Sequence, residues 1–421
     1  MKRTDIIKCL KANKKISAYE LTINNKDSRE LFYVLDHLEI NRAVNTCAQS
    51  INVYVNDGDK TGDSIVAVTA ADDAASLTKK LDAAVVKAKA AMNPYFPLPE
   101  KTVNIRALDD KKYDLNEIAN NIAKAVFKAN VHEQGWLNST EIFVSKLTKE
   151  FENSNGVHHI SSGLAIQIEV IPTWKGEKEE VELYKYYQSS KIDYKEITKE
   201  IESLLNNAKM RSQAVKMKDI KLPKDIKILV QDDMLERIFE SLCIDASYRY
   251  AFMHMNHYKK GDKLSDNKFN VTLKPYIKGC IESKYFDSHG VVLKNKKLIK
   301  DGALNCNWGD IRFGYYNKEK KITGEYSVIE LDAKRSEYKN EKHLILENFS
   351  SPQYDDSTGY WGGEIRLAKY FDGKKYIPIT DFSISGNIYE DLKKVEFSKE
   401  DVILSGYKGP KYLIFKGLSI H

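Results

Sequence analysis

Apolar residues recur at helical spacing in four segments of the first 210 positions, and strand-like runs lie between them. The clearest helix is predicted over about 72–92, where Leu77, Leu81, Val85, Ala88 and Met92 form one stripe and Pro94 ends the pattern. A second is predicted over about 115–130. Asp114 is its N-cap, Glu117 three residues on completes the pattern of a capping box, and Ile118, Ile122 and Val126 form its buried stripe. Shorter helices are expected over 5–14 and over 194–208, the latter carrying Ile197, Ile201, Leu204 and Leu205. INVYV (51–55) and SIVAV (64–68) read as strands joined by the turn segment NDGDKTGD (56–63). EIFVSKL (141–147) and GLAIQIEVI (163–171) read as a second pair around ENSNGVHH (152–159).

Periodicity is lost and lysines accumulate over 207–225, which places a domain boundary there. The second half opens with a strand, IKILVQ (226–231), and a helix of roughly 233–250, then continues as short strands between Gly, Asp and Asn turns. This order predicts an α+β protein with a mixed α/β N-terminal domain, 1–215, and a β-rich C-terminal domain, 216–421. At roughly 150 residues per domain, a chain of 421 residues agrees with two or three such units.

Composition narrows the function classes. With 42% hydrophobic residues, 10% aromatics, 21 Gly and 9 Pro, the chain is globular rather than collagenous or low-complexity. Basic residues exceed acidic ones by 66 to 60, but 56 of the basic residues are lysine and only 10 arginine. That balance describes a solvated exterior and argues against a dedicated nucleic-acid surface. The five cysteines (Cys9, Cys47, Cys243, Cys280 and Cys306) are scattered, and no CxxC occurs, so neither a disulfide framework nor a thiolate zinc knuckle is expected. The opening MKRTDIIKCLKANKKIS lacks the apolar core of a signal peptide, and no apolar run approaches the ~18–20 residues of a membrane span. The expected setting is the cytoplasm, away from a membrane.

Candidate chemistry is sparse. His132 and Glu133 begin like a zincin helix, but Trp136 and Leu137 occupy the places of the second histidine. His254 and His257 stand three apart and would share a helix face able to hold a metal, yet the surrounding AFMHMNHYKKGDK reads as a helix end entering a turn. His158 and His159 fall in a turn. Cys243 lies in an apolar helix as a small buried hydrophobe, and Asp355 and Asp356 precede STGYWGGE as turn residues. Neither GxSxG, GxxxxGK[ST] nor GxGxxG is present. The residues alone give no catalytic constellation.

Two longer stretches carry a resemblance. FDSHGVVLKNKKLIKDGALNCNW (286–308) is similar to a block of the TldD/TldE (PmbA) family through Phe286, Asp287, Gly290, Val291, Asp301, Gly302 and Leu304. YDDSTGYWGGEIRLAKYFDGKKYIPITDFSISGNIYEDL (354–392) resembles the family's next block through Gly359, Gly373, Pro378, Ser385, Gly386, Asn387 and Leu392. Fainter similarity extends over 41–67, a helix ending in MNPY and the NSNG turn at 153–156.

The resemblance implies specific chemistry. TldD-type members are zinc metallopeptidases with an HExxxH helix, in which two histidines hold the metal and the glutamate activates its water. The matching stretch here is IFESLCI (238–244): Phe239 and Ile244 stand where the histidines belong, and only Glu240 remains. The resemblance therefore implies a TldE/PmbA-like subunit that is non-catalytic alone and binds no cofactor itself. Zinc is then expected only on a TldD-like partner in a heterodimer. The substrate implied is unfolded peptide added as a β-strand, for which Gly359, Gly362 and Gly363 are candidate groove residues. The rival expectations are a self-sufficient homodimeric peptide-binding module and a lone hydrolase built on Cys243 or on His254 and His257. The family's association with DNA gyrase finds no support in the arginine-poor composition.

Overall fold

A computed structural model describes residues 1–421. Its first sheet is built from five long antiparallel strands in the order Lys60–Val68, His37–Asp57, Ala18–Val34, Gly135–Asn153 and His158–Lys175. Short strands finish the two edges. Met92–Pro94 lies beside the first of the five, while Arg106–Ala107, Glu180–Glu182 and Lys185–Ser189 all pair with the last. Residues of like parity on a strand share a face, and Leu21, Ile23 and Leu31 are all buried. That face is covered by two pairs of helices. Arg3–Ala12 and Ala74–Ala90 pack through Ile6, Leu10, Leu77, Leu81 and Val85. Leu115–Lys128 and Tyr194–Ser212 pack through Ile122, Val126, Ile201 and Leu205.

The helices arise where periodicity places them, but their caps differ from expectation. Asp114 does cap its helix, accepting from the Glu117 backbone N–H at 3.0 Å, without the reciprocal bond of a capping box. The reciprocal pair occurs instead on Ala74–Ala90, where Asp73 and Ser76 exchange hydrogen bonds of 2.8 and 3.0 Å.

Residues from 215 onward build two further sheets. The larger is mixed. It runs Val215–Lys216, Tyr376–Thr380, Tyr360–Phe371, His343–Asp355, Lys227–Val230, Leu413–Phe415 and Glu396–Phe397, with Phe382–Asn387 also paired to Tyr360–Phe371. The other runs Ala303–Leu304, Lys296–Lys300, Phe269–Lys274, Val328–Ala333, Tyr407–Pro410 and Asp401–Ile403. One core of 40 buried residues, including Phe239, Phe269, Leu346, Trp361 and Tyr407, joins both sheets to the helix Asp232–Asp245. The architecture is α+β, as the order of elements predicts. The helix expected over 233–250 is two helices, Asp232–Asp245 and Tyr248–Phe252, because Ser247 turns extended and caps the second by accepting from the Tyr250 N–H. No helix is long and apolar enough to cross a membrane.

The two halves meet on the sheet face away from the helices. Gly290, with φ of +81°, brings its backbone against the Phe151 ring, and its carbonyl lies 3.0 Å from His159 Nε2. Phe286 packs on Phe151 and His159. Nearby, Arg312 pairs with Asp63 at 2.7 Å while lying over the Phe96 ring.

Candidate functional site

The helix Asp232–Asp245 follows a four-residue strand, Lys227–Val230, and begins with two carboxylates, Asp232 and Asp233, which suit the positive end of a helix dipole. Its apolar stripe, Met234, Leu235, Ile238, Phe239 and Leu242, is buried in the C-terminal core. Its other stripe, Asp233, Glu236, Arg237, Glu240 and Ile244, follows the same helical spacing and faces open space.

That space is a groove made of two adjoining cavities of about 770 and 600 Å³, which share Tyr186, Asp233 and Tyr354 in their walls. The first lies between the helix Tyr194–Ser212, the strand Lys185–Ser189 and the end of the strand Asp401–Ile403. The second continues along Asp232–Asp245 toward Trp308, Ser327 and Gly406. Lys185–Ser189 pairs with His158–Lys175 on one side only, so its outer main-chain edge borders the groove without a strand partner.

Electrostatics in the groove are dominated by carboxylates. Lys185 pairs with Asp232 at 2.7 Å. Burial alone would lower the Lys185 pKa, but Asp232 and Asp233 outweigh it and hold the amine above its ordinary value. Burial pushes Glu236 up to about 7 against the hydrogen bonds donated by the Ser405 hydroxyl and the Gly406 N–H. Burial likewise raises Asp233 and Glu200. Arg237 makes a two-pronged contact with Asp356 through Nη2, 2.9 Å to each oxygen, and also pairs with Glu240 at 2.8 Å. Ser241 donates to the same aspartate at 2.6 Å.

The residues expected from sequence are distributed differently. Phe239 is wholly buried between Phe269 and Tyr407. Glu240 is exposed and held by Arg237, and Ile244 lines the second cavity. A histidine-type zinc site does not fit these residues, and no three His, Cys, Asp or Glu side chains converge to hold a metal anywhere in the chain. Cys243 is a buried thiol, its pKa pushed up to about 12 by burial. His254 and His257 do not share a helix face, because the helix ends at Phe252 and His254 takes φ of +56°. His257 stacks on Tyr389 with ring centroids 4.0 Å apart.

The glycines expected to wall a groove lie elsewhere. Gly362 and Gly363 sit in Tyr360–Phe371, paired with His343–Asp355 on one side and Phe382–Asn387 on the other, so neither presents an open edge. An added Cβ would stand 2.3 Å from the Ile384 carbonyl at Gly362 and 2.6 Å from the Ser351 carbonyl at Gly363. Gly359 (φ +74°) packs against the Tyr389 ring. Gly386 abuts Trp361 and Asp391, and Asn387 caps the helix Ile388–Asp391. Asp301 and Gly302, both at positive φ, turn Lys296–Lys300 into Ala303–Leu304. Asp287, fully buried, gathers the backbone N–H groups of His289, Val291 and Glu325, and burial raises its pKa to about 6. The blocks that carry the family resemblance therefore shape turns, sheet packing and the contact between the halves. The groove residues Lys185, Tyr186 and Glu236 escape sequence reading, although the polar stripe Asp233, Glu236, Arg237, Glu240 is visible at helical spacing.

Comparison with known proteins agrees with this architecture. Residues 223–421 match the family model described as PmbA/TldA metallopeptidase C-terminal domain. No curated protein matches the chain by sequence. Among solved structures, TldE from Thermococcus kodakarensis superposes with a TM-score of 0.80 at 15% identity, over 99% of each chain. A Thermotoga maritima protein named as a proposed modulator of a DNA gyrase gives 0.81 at 13% identity, over 100% of this chain and 99% of that one. A Bacteroides thetaiotaomicron protein with a similar name gives 0.81 at 14% identity, over 99% of this chain and 98% of that one. Residues 223–421 therefore belong to the PmbA/TldD C-terminal domain family, and the whole chain shares its fold from end to end with TldE.

Proposed function

We propose that this chain is a non-catalytic, TldE-like subunit of a cytoplasmic peptidase assembly, in which a TldD-like partner carries the zinc and this chain contributes peptide binding and assembly. The observation that carries the reading is the groove. By the sequence resemblance its helix corresponds to the family's metal-binding helix, and it offers Phe239 to the core and Ile244 to the cavity wall where that family would need zinc ligands. Beside it, the unpaired edge of Lys185–Ser189 is suited to an extended peptide, whose main chain would add to the sheet with little sequence preference.

An assembly role draws on a second open edge. Lys60–Val68 covers His37–Asp57 only from Gln49 onward, leaving the edge of residues 37–48 without a strand neighbour and Leu38 and Ile40 nearly half exposed. Long bare edges of this kind are normally covered.

The test is recovery of the tagged protein from its own cells, with co-purifying chains identified by mass spectrometry. A near-stoichiometric partner bearing HExxxH supports the subunit reading. Recovery of this chain alone as a stable self-associated species would refute it in favour of a homodimeric binding module.

A further inference from the structure

A separate cavity of about 710 Å³ lies on the face of the N-terminal sheet turned away from its helices. Its floor is a patch of directly opposed residues. Lys149 stands between Asn24 and Ser161, and Leu147 stands between Lys26 and Gly163. Opposed residues of antiparallel strands share a face, so these side chains rise into one space. The C-terminal half closes the other side with Lys284 between Ser283 and Tyr285. Gly163 keeps the floor open, since an added Cβ would meet nothing within 4 Å.

The charges in this cavity are unbalanced. Its ionisable lining consists of four lysines and one aspartate, together with Tyr276, Tyr285 and Cys280. Lys26 is paired with Glu30 at 3.1 Å, and Asp109 already accepts from the Tyr113 hydroxyl at 2.5 Å. Lys149 lies over the Phe286 ring at 5.3 Å, and neither it nor the half-buried Lys284 has a carboxylate partner. Burial and the charge of Lys284 push the Lys149 pKa down, against the weaker pull of Asp287 and Glu325. Two cations without carboxylate partners on the wall of one cavity of ligand size are stabilised by an anion between them.

We propose that this cavity binds a small molecule bearing an oxyanion, a carboxylate or a phosphate, clamped between Lys149 and Lys284 with Asn24 and Ser161 as further donors. The site is independent of the peptide groove. Isothermal titration with inorganic phosphate and with citrate tests it. At least one probe should bind saturably, and Lys149→Gln and Lys284→Gln should each weaken it about tenfold or more, the loss of one charge-assisted bond. Which probe binds separates the phosphate from the carboxylate source. A parallel melting experiment guards against unfolding: the bound anion should raise the melting temperature of the wild type and leave that of the variants nearly unmoved. Saturation by neither probe, or equal binding in wild type and variants, would overturn the proposal.

Discussion

His289 and Glu20, 269 positions apart in the chain, form an ion pair at the junction of the two halves, with Nδ1 2.9 Å from Oε1. Glu20 also accepts from the Tyr54 hydroxyl at 2.7 Å, so a buried carboxylate of the first sheet is tied to the turn Asp287–Val291 of the C-terminal half.

This pair gives stability a pH dependence of definite sign. Burial alone would lower the His289 pKa, but Glu20, Asp287 and Glu325 outweigh it and raise it to about 9. An unfolded histidine titrates near 6.5. Between these values the folded protein keeps a proton that the unfolded chain releases. The contribution, on the order of 3 kcal/mol, is therefore complete below about pH 6.5 and is lost as pH rises through about 9. Melting curves of the wild type should show this decline, and those of His289→Gln should be flatter. Parallel profiles in the two proteins would remove the pair from the account of stability.

Gly290 is constrained twice, by its φ of +81° and by the Phe151 ring 2.2 Å from where a Cβ would stand. Gly290→Ala should cost about 2–4 kcal/mol, from backbone strain and overpacking together. Gly373→Ala is the control. Its φ is +100° but an added Cβ meets nothing within 4 Å, so strain acts alone, at about 1 kcal/mol. Urea denaturation of both variants reads the difference, and equal losses would show that the contact with Phe151 is unimportant.

Legibility followed the physics of each element. The helices Ala74–Ala90 and Leu115–Lys128 announce themselves because one face is buried and the other wet. The strand Ala18–Val34 does not, since NNKDSRE in its middle interrupts apolar alternation. Residues 37–48 are almost wholly exposed and have no buried face to impose a pattern. The block at 286–291 is readable as a family signature, but its work is invisible in sequence, because Gly290 meets His159 across 131 residues. The groove escapes for the same reason. Its edge strand and its helix come from opposite sides of the 207–225 segment.

Arg237 and Asp356 fasten the groove helix to the turn before Tyr360–Phe371. Both side chains are mostly shielded, so removing one leaves the other inadequately solvated. Asp356→Ala should destabilise by about 1–3 kcal/mol. In a double-mutant cycle with Arg237→Ala, the coupling should approach 1 kcal/mol or more, exceeding that of an exposed pair. Additivity of the two substitutions would mean that Ser241, which also donates to Asp356, carries the contact instead.

Main-chain recognition along Lys185–Ser189 makes a prediction that side-chain recognition does not. An edge strand directs alternate residues' N–H and C=O groups outward, so a peptide paired with this five-residue edge would form a small number of backbone hydrogen bonds. Each is worth about 0.5–1.5 kcal/mol net. Methylating alternate amide nitrogens of an extended, fluorescently labelled probe removes those donors while keeping every side chain. Affinity, read by fluorescence anisotropy, should fall about tenfold to hundredfold when the methylated positions face the edge, and much less in the other register. Valine at Gly362 or Gly363 cannot serve as the test, because its Cβ would strike the Ile384 or Ser351 carbonyl and unfold the sheet before it touched a ligand. Equal affinities for both methylation registers would mean that a bound peptide is held by its side chains, and the open edge would lose its role.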